Sequence, residues 1–298
     1  MKENVSFPVS FEFFPPKTPE GLTTLLSSAK ALAALNPAFF SMTFGAGGST
    51  ITGTVDNVKK LQQVTDIQIV PHLSCIGGTR DELTEMLQIY KNMNVKRIVA
   101  LRGDLPSGMV QSGEFRYASD LVKLIREVSG NHFHIDVAAY PEFHPQAKNP
   151  LADILNLKNK FDLGANSAIT QYFFNPDAYF YYLDECASNG ITKPIVPGIM
   201  PITQFTRLAR FSDICGAEIP LWIRKRLQSF GDDTESITEF GVEIVYNLCQ
   251  RLIRGGAPGL HFYTLNKAEA STRIVKMLNL TEVSSRKSPQ AIVRDPRA

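Results

Sequence analysis

Short runs of β-branched and aromatic residues alternate with longer amphipathic segments along almost the whole chain. This alternation restricts the fold more than any other feature. The runs are Val9–Phe14, Phe39–Thr43, Ile67–Leu73, Arg97–Leu101, Ile135–Ala139, Ala168–Tyr172, Ile195–Val196 and Leu260–Tyr263. Helical patterns separate most of them; Pro19–Leu35, for example, carries Leu22, Leu25, Leu26, Ala29 and Leu32 on one stripe. Proline and glycine punctuate the ends, as at Pro15-Pro16, Pro141 and Pro197-Gly198. Strands that alternate with helices pair in parallel through right-handed crossovers. Eight such units predict a closed (βα)8 TIM barrel, and 298 residues suit one domain of that kind. The stretch from Pro201 to Gly259 has room for two or three helices, including Ile219–Ser229 and Glu235–Arg254. Extra helices are therefore expected between the seventh and eighth strands. The barrel is expected to occupy residues 1–284 as a single domain, and residues 285–298, rich in Arg, Ser and Pro, read as a disordered tail.

The formal net charge of +2 gives no electrostatic case for nucleic acid or a membrane as main partner. No segment has the uninterrupted apolar length of a membrane span, and the first residues lack the apolar run of a signal peptide. Cys75, Cys186, Cys215 and Cys249 are far apart and form no CxxC pair, so free thiols and a cytoplasmic location are expected.

In a barrel of this kind the active site lies where strands end and βα loops begin. Those positions hold Glu12, Thr43, His72, Asp104, Tyr140 with Glu142 and His144, Gln171, and Asn266 with Lys267. Alternation puts Val9, Phe11 and Phe13 on one face of the first strand and Ser10, Glu12 and Phe14 on the other. With four phenylalanines nearby, desolvation is expected to raise the Glu12 carboxyl so that it holds a proton near neutrality and serves as a general acid. A salt-bridged strand glutamate is the alternative. Gly103 permits close backbone approach to a flat ligand, and Arg102 suits a phosphate or carboxylate. The loop Thr43–Thr50 is glycine-rich but has Thr50 where GxGxxG needs its third glycine, so it is no Rossmann fingerprint. His132-Phe133-His134 enters a strand at the end opposite the predicted site and reads as structural. A divalent metal on His72, Asp104, Glu142 and His144 stays open on spacing alone.

In order along the chain, Val9-Ser10-Phe11-Glu12-Phe13-Phe14-Pro15-Pro16, Met42-Thr43-Phe44-Gly45-Ala46-Gly47-Gly48, Pro71-His72-Leu73-Ser74-Cys75 and Leu101-Arg102-Gly103-Asp104-Leu105-Pro106 resemble the methylenetetrahydrofolate reductase family. So do Ala139-Tyr140-Pro141-Glu142, Thr170-Gln171-Tyr172-Phe173-Phe174, Pro197-Gly198-Ile199-Met200-Pro201 and His261-Phe262-Tyr263-Thr264-Leu265-Asn266. The match spans about Val9 to Leu278 and is similar to the short bacterial form, without a regulatory C-terminal domain.

The resemblance implies non-covalent FAD, reduced by NADH in a ping-pong reaction that converts 5,10-methylenetetrahydrofolate to 5-methyltetrahydrofolate, supplying methyl groups for methionine synthesis. It also implies a homo-oligomer. Carried over by position, Glu12 is the general acid for opening the folate imidazolidine ring, and Asp104 is the carboxylate that stabilises the resulting cation beside the flavin. Gln171, Phe211 and Lys267 match substrate-binding positions. Thr43, Ala46, His72, Arg102, Gly103, Asp104, Tyr117, Ala118, Tyr140, His144, Ala147, Asp153, Asn156 and Lys160 match flavin contacts. The chain departs from the family's usual pattern with Asn159 at a phosphate contact, Arg207 in place of an amide and Lys267 in place of arginine. Two other readings of the rim are a metal-dependent barrel lyase or hydrolase and a catalytically inactive binding module.

Overall fold

A computed structural model describes residues 7–44, 51–103 and 113–280 of the chain. The runs form eight strands: β1 (Val9–Phe13), β2 (Phe39–Met42), β3 (Ile69–Ser74), β4 (Arg97–Leu101), β5 (His134–Ala139), β6 (Ser167–Tyr172), β7 (Ile195–Ile199) and β8 (Leu260–Tyr263). Neighbours pair in parallel in chain order, and β8 closes onto β1, with Ser10 opposite His261 and Glu12 opposite Tyr263. The first six strands are followed in turn by α1 (Pro19–Ala33), α2 (Ile51–Val64), α3 (Arg80–Asn92), α4 (Ala118–Ser129), α5 (Pro150–Asp162) and α6 (Pro176–Ser188). Three helices, α7 (Phe205–Cys215), α8 (Leu221–Ser229) and α9 (Thr234–Arg254), lie between β7 and β8, and α10 (Glu269–Leu278) follows β8. The predicted tail lies outside the described residues. Among those described, no helix is long and apolar enough to cross a membrane.

Local chemistry starts these helices where the chain leaves a strand. Thr79 and Glu82 form a reciprocal capping box on α3, while Asn149 and Asn175 cap α5 and α6 just ahead of Pro150 and Pro176. β3 begins at Ile69, two residues after the expected Ile67, because the Thr65 hydroxyl accepts the Ile67 amide hydrogen and holds a turn there.

Period-2 alternation sorts the strand side chains between two cores. Phe11, Phe13, Phe40 and Met42 face the helices, packed with Leu25, Ala29 and Leu32. Phe13 and Phe40 meet edge to face at 5.2 Å between centroids, and each such buried side chain contributes about 1.5–3 kcal/mol. The barrel interior holds a smaller apolar cluster of Phe39, Val70, Val99 and Ile169. Below it, Arg97 bonds Asp136 through two N–H···O contacts of 2.6 and 2.9 Å, with its guanidinium 4.1 Å above the Phe39 ring. Ser167 donates to the same carboxylate at 2.6 Å and lies 2.6 Å from His134 Nε2. His132 Nε2 meets the Val95 carbonyl at 3.1 Å. The histidine pair is thus part of the barrel floor, as its place in the sequence indicates.

One strand pairing is irregular, and it sits beside the mouth. The register of β6 against β7 shifts between Ile169 and Tyr172. β7 continues to Ile199, past the expected stop at Val196; its pairing with β8 starts only at Gly198, so the ladder there does not call for the N–H that Pro197 lacks. The Tyr263 hydroxyl donates to the Thr170 carbonyl at 2.7 Å, and the Gly198 amide donates to Thr170 Oγ1 at 2.9 Å. A Cβ on Gly198 would overlap the Thr170 carbonyl oxygen and lie 2.6 Å from Tyr263 Cε2. Gly198→Ala is therefore expected to destabilise the barrel by about 1–3 kcal/mol through overpacking, measured by denaturant unfolding. A neutral substitution would show that the irregular pairing adapts freely.

Candidate active site at the barrel mouth

Glu12 comes off β1 into the barrel interior with its side chain 17% exposed. Its Oε2 lies 3.3 Å from His72 Nε2 on β3 and 3.3 Å from His261 Nε2 on β8. Ser41 Oγ on β2 completes the group at 3.5 Å. Behind it, His261 Nδ1 meets Ser10 Oγ at 2.7 Å. Burial alone would raise the Glu12 carboxyl, but the His72 charge and the contacts with both imidazoles outweigh it and bring the carboxyl down to about 2. The expectation of a desolvated, protonated glutamic acid is therefore corrected. Phe11 and Phe13 point outward to the helices, while the inward neighbours of Glu12 are imidazoles. Glu12 is ionised in this arrangement, and a proton for chemistry has to reach it from its neighbours or from solvent.

The loop after β8 holds Glu12 in place from the backbone side. Thr264 Oγ1 donates to the Glu12 carbonyl at 2.6 Å. Asn266 clamps Phe14 twice, accepting from its N–H at 3.0 Å and donating to its carbonyl at 2.9 Å. Asn266 is thus a buried tie between the ends of β8 and β1, and Lys267 beside it is exposed.

The remaining predicted residues fall into groups around this centre. On the β4 side, Gly103 has a φ of +87° and leaves no room for a Cβ against Ser74. Ser74 Oγ donates to the Arg102 carbonyl at 2.8 Å. The Cys75 thiol lies 3.7 Å from the Arg102 carbonyl and 3.5 Å from that of Tyr117, tying the β4 loop to the start of α4 at Ala118. On the β5 side, Tyr140 and His144 stack edge to face at 4.5 Å. The His144 amide donates to Asp153 Oδ2 at 2.9 Å, and the Ala147 amide to the His144 carbonyl at 2.8 Å. Lys160 Nζ donates to the Ala138 carbonyl at 2.6 Å; burial lowers its ammonium to about 8, against the pull of Asp153. Thr43 follows β2 and donates its amide hydrogen to the Phe13 carbonyl at 2.9 Å. Gln171 stands at the shifted part of β6, its Oε1 accepting from the Tyr172 amide at 3.0 Å. Asn156 is exposed on α5 and joins none of these groups. Ala46 and Asp104 lie outside the described residues.

Phe211 lines a cleft of about 730 Å³ beside the mouth, together with Phe14, Phe205, Arg207, Arg210 and Leu265. In a smaller recess that Gln171 and Tyr172 also line, Glu142 accepts the Glu218 amide hydrogen at 2.8 Å, and burial pushes its carboxyl up to about 7. Among the described residues, no three His, Cys, Asp or Glu side chains group as a metal site requires. Of the metal candidates described, His72 faces Glu12, Glu142 is engaged by the α7–α8 connection, and His144 packs on Tyr140.

Sequence reasoning passed over Ser10 and, above all, His261 as site residues. The signal was present: along β8, alternation puts His261 and Tyr263 on the face opposite Leu260 and Phe262, the same inward face as Glu12.

The chain is similar to known proteins over most of its length. Residues 1–279 match the family model for methylenetetrahydrofolate reductase. The 5,10-methylenetetrahydrofolate reductase of Escherichia coli (strain K12) is 44% identical over 273 residues, which is 91% of this chain and 90% of that protein. A probable methylenetetrahydrofolate reductase (NADH) of Oryza sativa subsp. japonica is 37% identical over 288 residues, 92% of this chain and 48% of the plant protein. Among solved structures, a Clostridium thermocellum protein that binds two copies of 5-methyl-5,6,7,8-tetrahydrofolic acid shares the fold. It superposes with a TM-score of 0.65 at 17% identity, over 94% of this chain and 95% of that one. The chain belongs to the methylenetetrahydrofolate reductase family.

Proposed function

We propose that the chain reduces 5,10-methylenetetrahydrofolate to 5-methyltetrahydrofolate with NADH and non-covalently bound FAD, in a ping-pong order, and so supplies methyl groups for methionine synthesis. One observation carries the mechanism: a carboxylate at the barrel mouth in contact with two imidazoles, Glu12 with His72 and His261.

The residues around the mouth fit FAD by their chemistry. Arg102 and Lys160 offer cations for a diphosphate, and Tyr140 with His144 offers aromatic surface, while Gly103 turns the backbone between them in a conformation that leaves no room for a side chain. Thr43, Ala46, His72, Tyr117, Ala118, Ala147, Asp153 and Asn156 would complete the contacts, as the family likeness suggests. When bound, FAD supplies the hydride relay from NADH to the methylene carbon.

The chain's own residues do the rest. Glu12 delivers the proton that opens the folate ring, a role for general acid catalysis. Gln171 orients the pterin, Phe211 lies against either substrate, and Lys267 meets the acidic tail. Asp104 stabilises the cation formed on ring opening. The protein works in the cytoplasm as a homo-oligomer.

The test is the visible spectrum of the purified protein. A flavin spectrum that NADH bleaches without air, and that methylenetetrahydrofolate restores, is the expected result. A colourless protein that takes up no FAD but retains one divalent metal per chain would overturn the proposal.

A further inference from the structure

We propose that His261 is the positioning residue that loads Glu12 with its proton, and that Ser10 fixes the imidazole tautomer that makes this transfer possible. The proposal rests on the folate-reducing reading above and extends it to a residue that reading leaves without a role.

The three side chains form a continuous line into the barrel: Glu12 Oε2 to His261 Nε2 at 3.3 Å, then His261 Nδ1 to Ser10 Oγ at 2.7 Å. His261 is fully buried, and Ser10 is 4% exposed. The ring stacks on Phe39 at 5.8 Å and meets Tyr263 edge-on at 5.4 Å, so its orientation is set by packing on both sides. Every titratable neighbour has a defined place. His72 approaches Glu12 from β3, while Tyr263 gives its hydroxyl to the Thr170 carbonyl and stays neutral through burial. Arg97 lies over the Phe39 ring and is neutralised by Asp136. His72 and His261 are equally far from Glu12, but only His261 has hydrogen-bond partners at both ring nitrogens; His72 Nε2 makes no aligned hydrogen bond.

The proton balance follows from this line. Before transfer, the proposed line has Nδ1–H of His261 donating to Ser10 and its Nε2–H donating to the Glu12 carboxylate. The Nε2 proton passes to Glu12 Oε2, which leaves a neutral imidazole that keeps its Nδ1–H on Ser10. Glu12 then gives that proton to the amine nitrogen of the folate imidazolidine ring. The bond from that nitrogen to the methylene carbon breaks, its electron pair stays on the nitrogen, and the iminium carbon left behind accepts the hydride. Glu12 returns to a carboxylate, and a proton from solvent recharges His261. Ser10 accepts a hydrogen bond in both states, so it holds Nε2 as the nitrogen that loses and regains the proton.

Two measurements on the FAD-loaded full chain test this. The first is ¹⁵N NMR of protein labelled at its 5 histidines, assigned by single substitutions. The expected signal has Nδ1 of His261 protonated across the whole pH range, with only Nε2 titrating. A bare Nδ1 on neutral His261, with Ser10 as donor, would overturn the proposal. This measurement uses no folate, so it can fail or succeed independently of the folate-reducing reading. The second is the pH profile of folate reduction by stopped flow. His261→Gln keeps an N–H donor toward Glu12 but cannot store a proton. It is expected to slow that step about 10²-fold and to abolish its decline at rising pH. Ser10→Ala, a milder change that serves if His261→Gln folds poorly, is expected to shift the midpoint of the profile. A profile unchanged in both variants sinks the idea.

Discussion

Glu12→Gln is expected to slow methylenetetrahydrofolate reduction by about 10²–10⁴-fold, the range over which a general acid acts, while leaving the proposed reduction of FAD by NADH intact. Glutamine matches the carboxylate in shape and keeps an oxygen acceptor for His261, with His72 at the same 3.3 Å on its other side. What it loses is the ability to receive a proton from an imidazole and pass it on. In the proposed reaction only ring opening of the folate needs that proton, so the two half-reactions should separate in stopped flow. Equal loss of both would refute the assignment and make Glu12 a structural anchor of the mouth.

The second large effect is on stability. Arg97→Met is expected to cost about 3–5 kcal/mol, the usual penalty for leaving one partner of a buried ion pair behind. Methionine can still pack on Phe39, so the loss isolates the charge on Asp136, which is fully buried. Burial by itself would raise the Asp136 carboxyl, but hydrogen bonds from His134 and Arg97, with the Arg97 charge, bring it down to about 2 from an ordinary 3.8. A carboxyl lowered on folding contributes stability that is present above its ordinary value and lost as the pH falls toward about 2. The deficit of Arg97→Met should therefore be largest near neutral pH and shrink in acid, where Asp136 can take a proton. Urea unfolding from pH 7 down to pH 3 checks this, and pairing the substitution with Asp136→Asn should recover part of the loss. A deficit independent of pH would mean that packing, not charge, is what Arg97 contributes.

How far these features could be read from the sequence depends on the range of the contacts involved. The strands and the inward face of Glu12 were legible because alternation is local: each residue's direction follows from its neighbour's. Extra helix between β7 and β8 was legible, as two or three helices, because a surplus of chain must go somewhere; α7 (Phe205–Cys215) is the one the periodicity did not single out. The protonation of Glu12 was not. Phe11 and Phe13 are adjacent in sequence but face the helices, whereas His72 and His261 are distant in sequence and share its interior. Proximity along the chain therefore suggested an apolar setting, and the closed barrel supplied a charged one. The irregular pairing at Thr170 was likewise hidden, since it needs Gly198 and Tyr263 from two other strands. Ala46 rests on family likeness alone, and Asp104 on that likeness and on its place just after β4.

Closure of β8 onto β1 also sets the order in which the site can be assembled. The contacts between Glu12 and His261 and between Phe14 and Asn266 join residues 249 and 252 positions apart, close to the full span of the barrel. Such pairings carry the greatest loop-closure entropy and come late in folding. A nascent chain that has already built β1 through β7 still presents Glu12 on an open sheet edge. On the proposed mechanism its proton source, His261, arrives only with the last strand, so the ability to protonate a substrate is acquired in the same step that removes the exposed edge.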